Sequence, residues 1–139
     1  MKILYLCTGN SCRSQMADGW TKHLRPDIEC WSAGIETHGM NPRAVQVMEE
    51  AGVDMSGLSS KLVSDVPDLE FDYVVTLCGH AAENCPIIPT DAKRVHRGFD
   101  DPPGLTRDMN DETEILAVYR RVRDEIKVLV EGLPGSLEG

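Results

Sequence analysis

The chain opens on a short apolar run, KILYL at positions 2–6, that stops at Cys7-Thr8-Gly9-Asn10. Beyond it Met16, Ala17, Trp20 and Leu24 recur at helical spacing. A buried strand, a tight loop and a helix are the elements this pattern predicts. Pro26-Asp27 breaks the helix, and IECWSA at 28–33 reads as a second extended segment closed by Gly34. Asn41-Pro42 opens another helix, since proline is tolerated in the first turn, with Val45, Met48 and Ala51 on one face until Gly52. Residues 54–70 mix Ser, Asp, Pro and Gly with few apolar positions and predict only a short helical turn. FDYVVTL at 71–77 is rich in β-formers and predicts a strand buried on both faces. Residues 93–98 form a weaker fourth strand, and 99–110 are turn chemistry. In the last helix Asp111 and Glu114 can form a capping pair, Ile115, Tyr119, Val122, Ile126 and Leu129 mark one stripe, and Gly132 and Pro134 end it.

Strands and helices alternate without repeats or low-complexity stretches. That order predicts a single α/β domain over residues 1–139, with a four-stranded parallel sheet in flavodoxin-like order 2-1-3-4 and helices on both faces, three layers in all. In such sheets ligands bind beyond the carboxyl ends of the strands.

Composition narrows the function. With 14 basic and 23 acidic side chains the net charge is −9, which argues against nucleic acid as a partner, because counterion release needs a Lys/Arg surface. No apolar run approaches the ~20 residues of a membrane helix. The apolar stretch before Gly9-Asn10 is too short for the core of a signal peptide, so a cytoplasmic chain is expected. Five cysteines, an odd number in a chain long enough to bury a core, suit reduced thiols better than a secreted disulfide framework. Nothing in the sequence demands more than a monomer.

The densest chemistry lies in the loop after the first strand, Cys7-Thr8-Gly9-Asn10-Ser11-Cys12-Arg13-Ser14. Gly9 and Asn10 adopt positive φ most readily, which lets consecutive N–H groups turn onto one point. With the following helix N-terminus and the two-pronged donor set of Arg13, that point attracts a tetrahedral oxyanion, bound by Thr8, Gly9, Asn10, Ser11, Cys12 and Arg13. The acidic balance does not prevent this, since exposed charges beyond ~10 Å are largely screened. The same field favours a thiolate at Cys7, and Ser14 can donate to its sulfur. The plain alternative for Cys7 is a small buried residue closing the strand; Gly, Asn, Arg and Ser in register favour the nucleophile.

Cys-x5-Arg-Ser near the N-terminus resembles the phosphate-binding loop of the low-molecular-weight protein tyrosine phosphatases. The resemblance implies a general acid in a late Asp-Pro pair, which Asp101-Pro102 supplies, with Asp100 the adjacent competitor; without Cys7 the pair would read as an ordinary turn. Such a phosphatase needs no further thiol, yet Cys78 follows the third strand and Cys85 comes seven residues later. Thr76-Leu77-Cys78 and Asn84-Cys85-Pro86, with residues 32–39 and 98–102, resemble the thioredoxin-coupled arsenate reductases over nearly the whole chain.

This second resemblance implies a sequence of thiol steps. Cys7 attacks arsenate held by the loop and Arg13, while Asp101 protonates the departing oxygen. Cys78 then attacks the Cys7 sulfur and arsenite leaves; Cys85 attacks Cys78, and thioredoxin reduces the Cys78–Cys85 disulfide. No bound cofactor is implied, the role is arsenic detoxification, and weak phosphatase activity can persist at the same loop. If residues 79–84 are helical, the Cα atoms of Cys78 and Cys85 lie about 10 Å apart. A disulfide spans no more than about 7 Å, so the segment must unwind on oxidation. Other readings of Cys78 and Cys85 are a buried pair or a metal site with His80 and His96, whose spacing fits zinc poorly. Cys12, Cys30, His23 and His38 receive no catalytic role.

Some relatives bind potassium through residues matching Asn10, Asp18, Ser32 and an Asp where this chain has Lys61. The resemblance therefore implies that the Lys61 ammonium replaces the ion and pairs with Asp18, the alternative being a solvated surface lysine. Two other functions stay open at this point. One is a tyrosine phosphatase, although residues 100–110 hold no aromatic ring to grip a phenyl group. The other is a non-catalytic oxyanion-binding or redox-sensing module.

Overall fold

The computed structural model describes residues 1–7, 9, 12–34, 36–37, 39–66, 70–78 and 92–138, and of Cys78 the backbone alone. In chain order the elements are β1 (Lys2–Leu6), α1 (Arg13–Leu24), β2 (Glu29–Ala33), α2 (Pro42–Glu50), a 3-10 turn (Val63–Asp65), β3 (Tyr73–Cys78), β4 (Lys93–Phe99), α3 (Pro102–Leu105), α4 (Glu112–Glu131) and a second 3-10 turn (Gly135–Leu137). The four strands form one parallel sheet in the order β2-β1-β3-β4, as the sequence predicts.

Alternation along the strands divides the core. Ile3 and Tyr5 of β1, with Val75 and Leu77 of β3 and Val95 of β4, share a core with α1 and α4, and α2 packs on those two helices. Leu4, Leu6, Ala33 and Val74 point to the opposite face, where Trp31, Phe71, Val66 and the 3-10 residue Val63 lie against them. Both faces of the central strands are thus dry, which is why adjacent Val74 and Val75 of β3 are both buried. α1 is held against α4 and β1 by polar bonds at its buried side: Trp20 Nε1 donates to the Arg123 carbonyl at 3.1 Å, and Thr21 Oγ1 lies 2.8 Å from Tyr5 Oη. No helix among the described residues is long and apolar enough to cross a membrane.

Helix starts follow the polar residues that precede them. Asn41 Oδ1 accepts from the amides of Arg43 and Ala44, with Pro42 in the first turn of α2. At α4 the Asp111 carboxylate accepts from the Thr113 amide at 2.9 Å; the expected exchange with Glu114 is replaced by this shorter-range cap. Residues 99–110 contain more structure than their turn chemistry predicts, because two prolines fix φ for the single turn of α3. After Gly132 the chain turns once more and buries Leu137, a contact that the helical stripe does not reach.

The stripe on α4 makes a direct stability prediction. Ile126 is fully buried and Val128 is 68% exposed. Ile126→Ala should lower the unfolding free energy by about 2–5 kcal/mol, and Val128→Ala should change it by about 0.5 kcal/mol or less, measured by urea denaturation. Equal effects would contradict the assigned packing.

Candidate active site

The carboxyl ends of three strands and the start of α1 converge on one point. Cys7 follows β1, is buried, and its amide donates to the Ala33 carbonyl at the end of β2. Its Sγ lies 2.9 Å from Ser14 Oγ in the first turn of α1, where the hydroxyl can donate to a sulfur anion. Among the described residues no side chain caps α1; Cys12 occupies the N-cap position and its carbonyl accepts from the Met16 amide. The first amides of α1 therefore face the loop with their partial positive charge.

Arg13 is 4% exposed, and its placement is set by two strand ends. Nη1 donates to the Phe99 carbonyl at 3.1 Å and to the Leu77 carbonyl at 3.4 Å, where the register between β3 and β4 slips between Thr76 and Cys78. Nη2 lies 3.6 Å from Asp101 Oδ1. The Asp101 side chain is 37% exposed and stands at the start of α3. A Cβ placed on Gly104 would lie 2.8 Å from Asp101 Oδ2, so the absence of a side chain there makes room for the carboxylate. Asp100 faces away: its Oδ2 accepts from Arg121 of α4 at 2.9 Å.

Thus Cys7, Arg13, Ser14 and Asp101, four of the residues that the sequence nominates, are brought together. Gly9 and Cys12 are buried beside them. Thr8, Asn10, Ser11, Cys85 and the expected helix at 79–84 lie outside the described residues, as does the Cys78 side chain. The Cys78 backbone ends β3 next to β1, with Leu6 paired to Thr76, so Cys7 and Cys78 leave the carboxyl ends of neighbouring strands.

Behind the loop Asp18 is 1% exposed and saturated with donors. Ser32 Oγ donates to Oδ2 at 2.9 Å, the Cys30 thiol donates to Oδ1 at 3.2 Å, and the ammonium of Lys22 forms an ion pair with it. Lys22, four residues along α1, is a partner that the sequence reading passed over. The signal was present, since an i,i+4 acid–lysine pair sits on one helix face. Lys61 donates to the Ser59 carbonyl at 3.1 Å; burial lowers its pKa and the charge of Asp18 opposes that shift, so it sits in the field of the carboxylate. Asp18, Lys22, Cys30, Ser59 and Lys61 line a pocket of about 520 Å³. Two ammonium groups thus stand in the field of the Asp18 carboxylate.

Burial raises the Cys12 thiol well above its usual range, with the neighbouring Cys7 adding to the shift. Burial, followed by the charge of Asp18, pushes Cys30 to about 12. Among the described residues no group of His, Cys, Asp and Glu is arranged to hold a metal, and His96 Nδ1 is 2.8 Å from Thr76 Oγ1.

A buried thiol, an anchored guanidinium and a carboxylate thus lie together beyond the ends of a parallel sheet. The chain belongs to the low molecular weight phosphotyrosine protein phosphatase family, whose model matches residues 2–138. It is 53% identical over 128 residues to an arsenate reductase of Bacillus subtilis, covering 90% of this chain and 89% of that one. It is 48% identical over 130 residues to an arsenate reductase of Staphylococcus aureus, covering 93% and 92%. A solved arsenate reductase in its phosphate binding state superposes with a TM-score of 0.77 at 32% identity, covering 99% of this chain and 98% of that one.

A thiol at about 12 is ionised to roughly one part in ten thousand at pH 8. Iodoacetamide at pH 8 should therefore leave Cys12 and Cys30 unmodified in the folded protein while the urea-unfolded chain is alkylated at every cysteine, read by peptide mass spectrometry. Fast labelling of Cys30 in the native state would refute its assigned environment.

Proposed function

We propose that the chain is an arsenate reductase that passes electrons from a dithiol through Cys85, Cys78 and Cys7 to arsenic. The observation that carries this reading is the convergence of Cys7, Ser14, Arg13 and Asp101 at the carboxyl end of β1, with β3 delivering Cys78 to the adjacent strand end.

The oxyanion sits on the loop amides and on the guanidinium face of Arg13, whose Nη1 edge is committed to Leu77 and Phe99. The Cys7 sulfur attacks arsenic, a sulfur–arsenic bond forms, one arsenic–oxygen bond breaks, and Asp101 delivers the proton with which that oxygen leaves as water. Ser14 holds the attacking sulfur by a hydrogen bond. Cys78 next attacks the Cys7 sulfur. A disulfide forms as the sulfur–arsenic bond breaks, and its electron pair stays on arsenic, now reduced from the +5 to the +3 state and released as arsenite. Attack of Cys85 on Cys78 restores Cys7 and leaves a Cys78–Cys85 disulfide. Thioredoxin supplies the two electrons and two protons that reduce it. Phosphorus accepts no such electron pair, so phosphate binds at the same place and goes no further than slow ester chemistry.

We also assign the charge demand of Asp18 to lysine. Lys22 in contact, with Lys61 close by, takes the part of a monovalent cation and keeps the back of α1 neutral.

Arsenate-dependent NADPH consumption with thioredoxin and thioredoxin reductase tests the relay. Wild type should turn over, Cys78→Ser should not, and Cys85→Ser should complete at most one turnover and accumulate a Cys7–Cys78 disulfide. Multiple turnovers by Cys85→Ser would sink the relay. Asp101→Asn should lower kcat by about 10²–10⁴-fold. Potassium at fixed ionic strength should leave the rate unchanged; activation by potassium would overturn the lysine assignment.

A further inference from the structure

The anion loop is fastened from outside by a segment to which the sulfur relay assigns nothing, residues 59–62. Ser60 Oγ donates to the Gly9 carbonyl at 3.1 Å. Gln15, fully buried in the first turn of α1, donates from Nε2 to the Ser59 carbonyl at 2.9 Å. The same segment is tied to the end of β2, where the Gly34 amide donates to the Lys61 carbonyl and the Val63 amide donates to the Gly34 carbonyl, both at 3.0 Å. Three points around the cradle, namely the Gly9 peptide, the first turn of α1 and the exit of β2, are thus joined by one strap.

The chemistry of the loop gives this strap a task. A cradle for an oxyanion works by presenting N–H groups, and a carbonyl oxygen turned toward the anion would repel it. Every carbonyl of the loop must therefore find a donor elsewhere. For Gly9, the most permissive residue of the loop, that donor is the Ser60 hydroxyl. Without it, no other side chain among the described residues holds the Gly9 oxygen away from the anion, and rotation of that peptide becomes inexpensive.

We propose that Ser60 is a positioning residue for oxyanion binding, acting through the Gly9 carbonyl, and that Gln15 anchors the strap from which it acts. Neither touches the substrate. The inference rests on the loop being the oxyanion site, and holds whether or not electrons then flow to arsenic.

Calorimetric titration of the reduced full-length protein with inorganic phosphate tests it, alongside arsenate kinetics. Loss of one neutral hydrogen bond corresponds to roughly 3–10-fold. Ser60→Ala should weaken phosphate binding by about that factor and raise KM for arsenate more than it lowers kcat. Ser60→Thr, which keeps the hydroxyl, should restore most of the affinity. The melting temperature without anion should change little between the three proteins, while the stabilisation conferred by phosphate should shrink for Ser60→Ala alone. Wild-type phosphate affinity in Ser60→Ala, or equal losses in Ser60→Ala and Ser60→Thr, would overturn the proposal. A protein that binds phosphate in this Ser60-dependent way but reduces no arsenate would overturn the reductase reading and leave this one standing.

Discussion

Arg13 is a cation withdrawn almost completely from water, and a charge so placed is tolerated only where acceptors surround it. The fold supplies them by ending two parallel strands at the same level, so that the Leu77 and Phe99 carbonyls both meet Nη1. The slip in the β3–β4 ladder lies at this place, between Thr76 and Cys78. A regular ladder would direct strand carbonyls to the neighbouring strand; here two of them serve a side chain from another layer. Nη2 of the guanidinium is left facing the Asp101 carboxylate at 3.6 Å.

This anchoring keeps a buried cation at the proposed anion site of a chain with net charge −9. Arg13 is buried among its partners, whereas several exposed carboxylates on and around α4 are paired with arginines. Glu112 pairs with Arg43, Glu50 with Arg120 and Arg123, and Asp100 with Arg121. Each of these exposed pairs contributes little to stability. Their effect near the site is directional: by engaging Asp100, Arg121 leaves Asp101 as the carboxylate that faces Arg13, a distinction between adjacent residues that sequence order alone does not draw.

Periodicity was enough to read the sheet, its order and the long stripe on α4, because the central strands are buried on both faces and the helix on one. Cys7, Arg13, Ser14 and Asp101 were legible because their chemistry is local in sequence or borne by an Asp-Pro pair. What escaped were contacts whose partners are distant along the chain and chemically bland: the Ser60 hydroxyl on the Gly9 carbonyl, the Gln15 amide on Ser59, and the room that Gly104 leaves for Asp101. Serine, glutamine and glycine carry no periodic signal, and a hydrogen bond to a backbone carbonyl leaves no trace in composition. Lys22 differs from these: it stands one helical turn from Asp18, and the i,i+4 spacing of acid and lysine is itself a sequence signal for the ion pair they form.

The cradle by itself does not decide between hydrolysing an ester and reducing an oxyanion, because both reactions begin with sulfur attack on a tetrahedral centre and protonation of a leaving oxygen. The difference lies in what can reach the sulfur next. In a phosphatase water must attack the central atom of the adduct, along the line opposite Cys7. In a reductase a second sulfur must attack Cys7 itself, from the side away from the anion. β3 runs beside β1 and ends in Cys78, so the Cys78 backbone lies one strand away from the end of β1, a separation of about 4.8 Å between backbones. Parallel pairing brings both strand ends to the same edge; an antiparallel β3 would have carried its end, and Cys78 with it, to the far side. The same sheet that holds Arg13 by its carbonyls therefore also sets where the backbone of Cys78 ends, so both features of the proposed reaction trace to one parallel sheet.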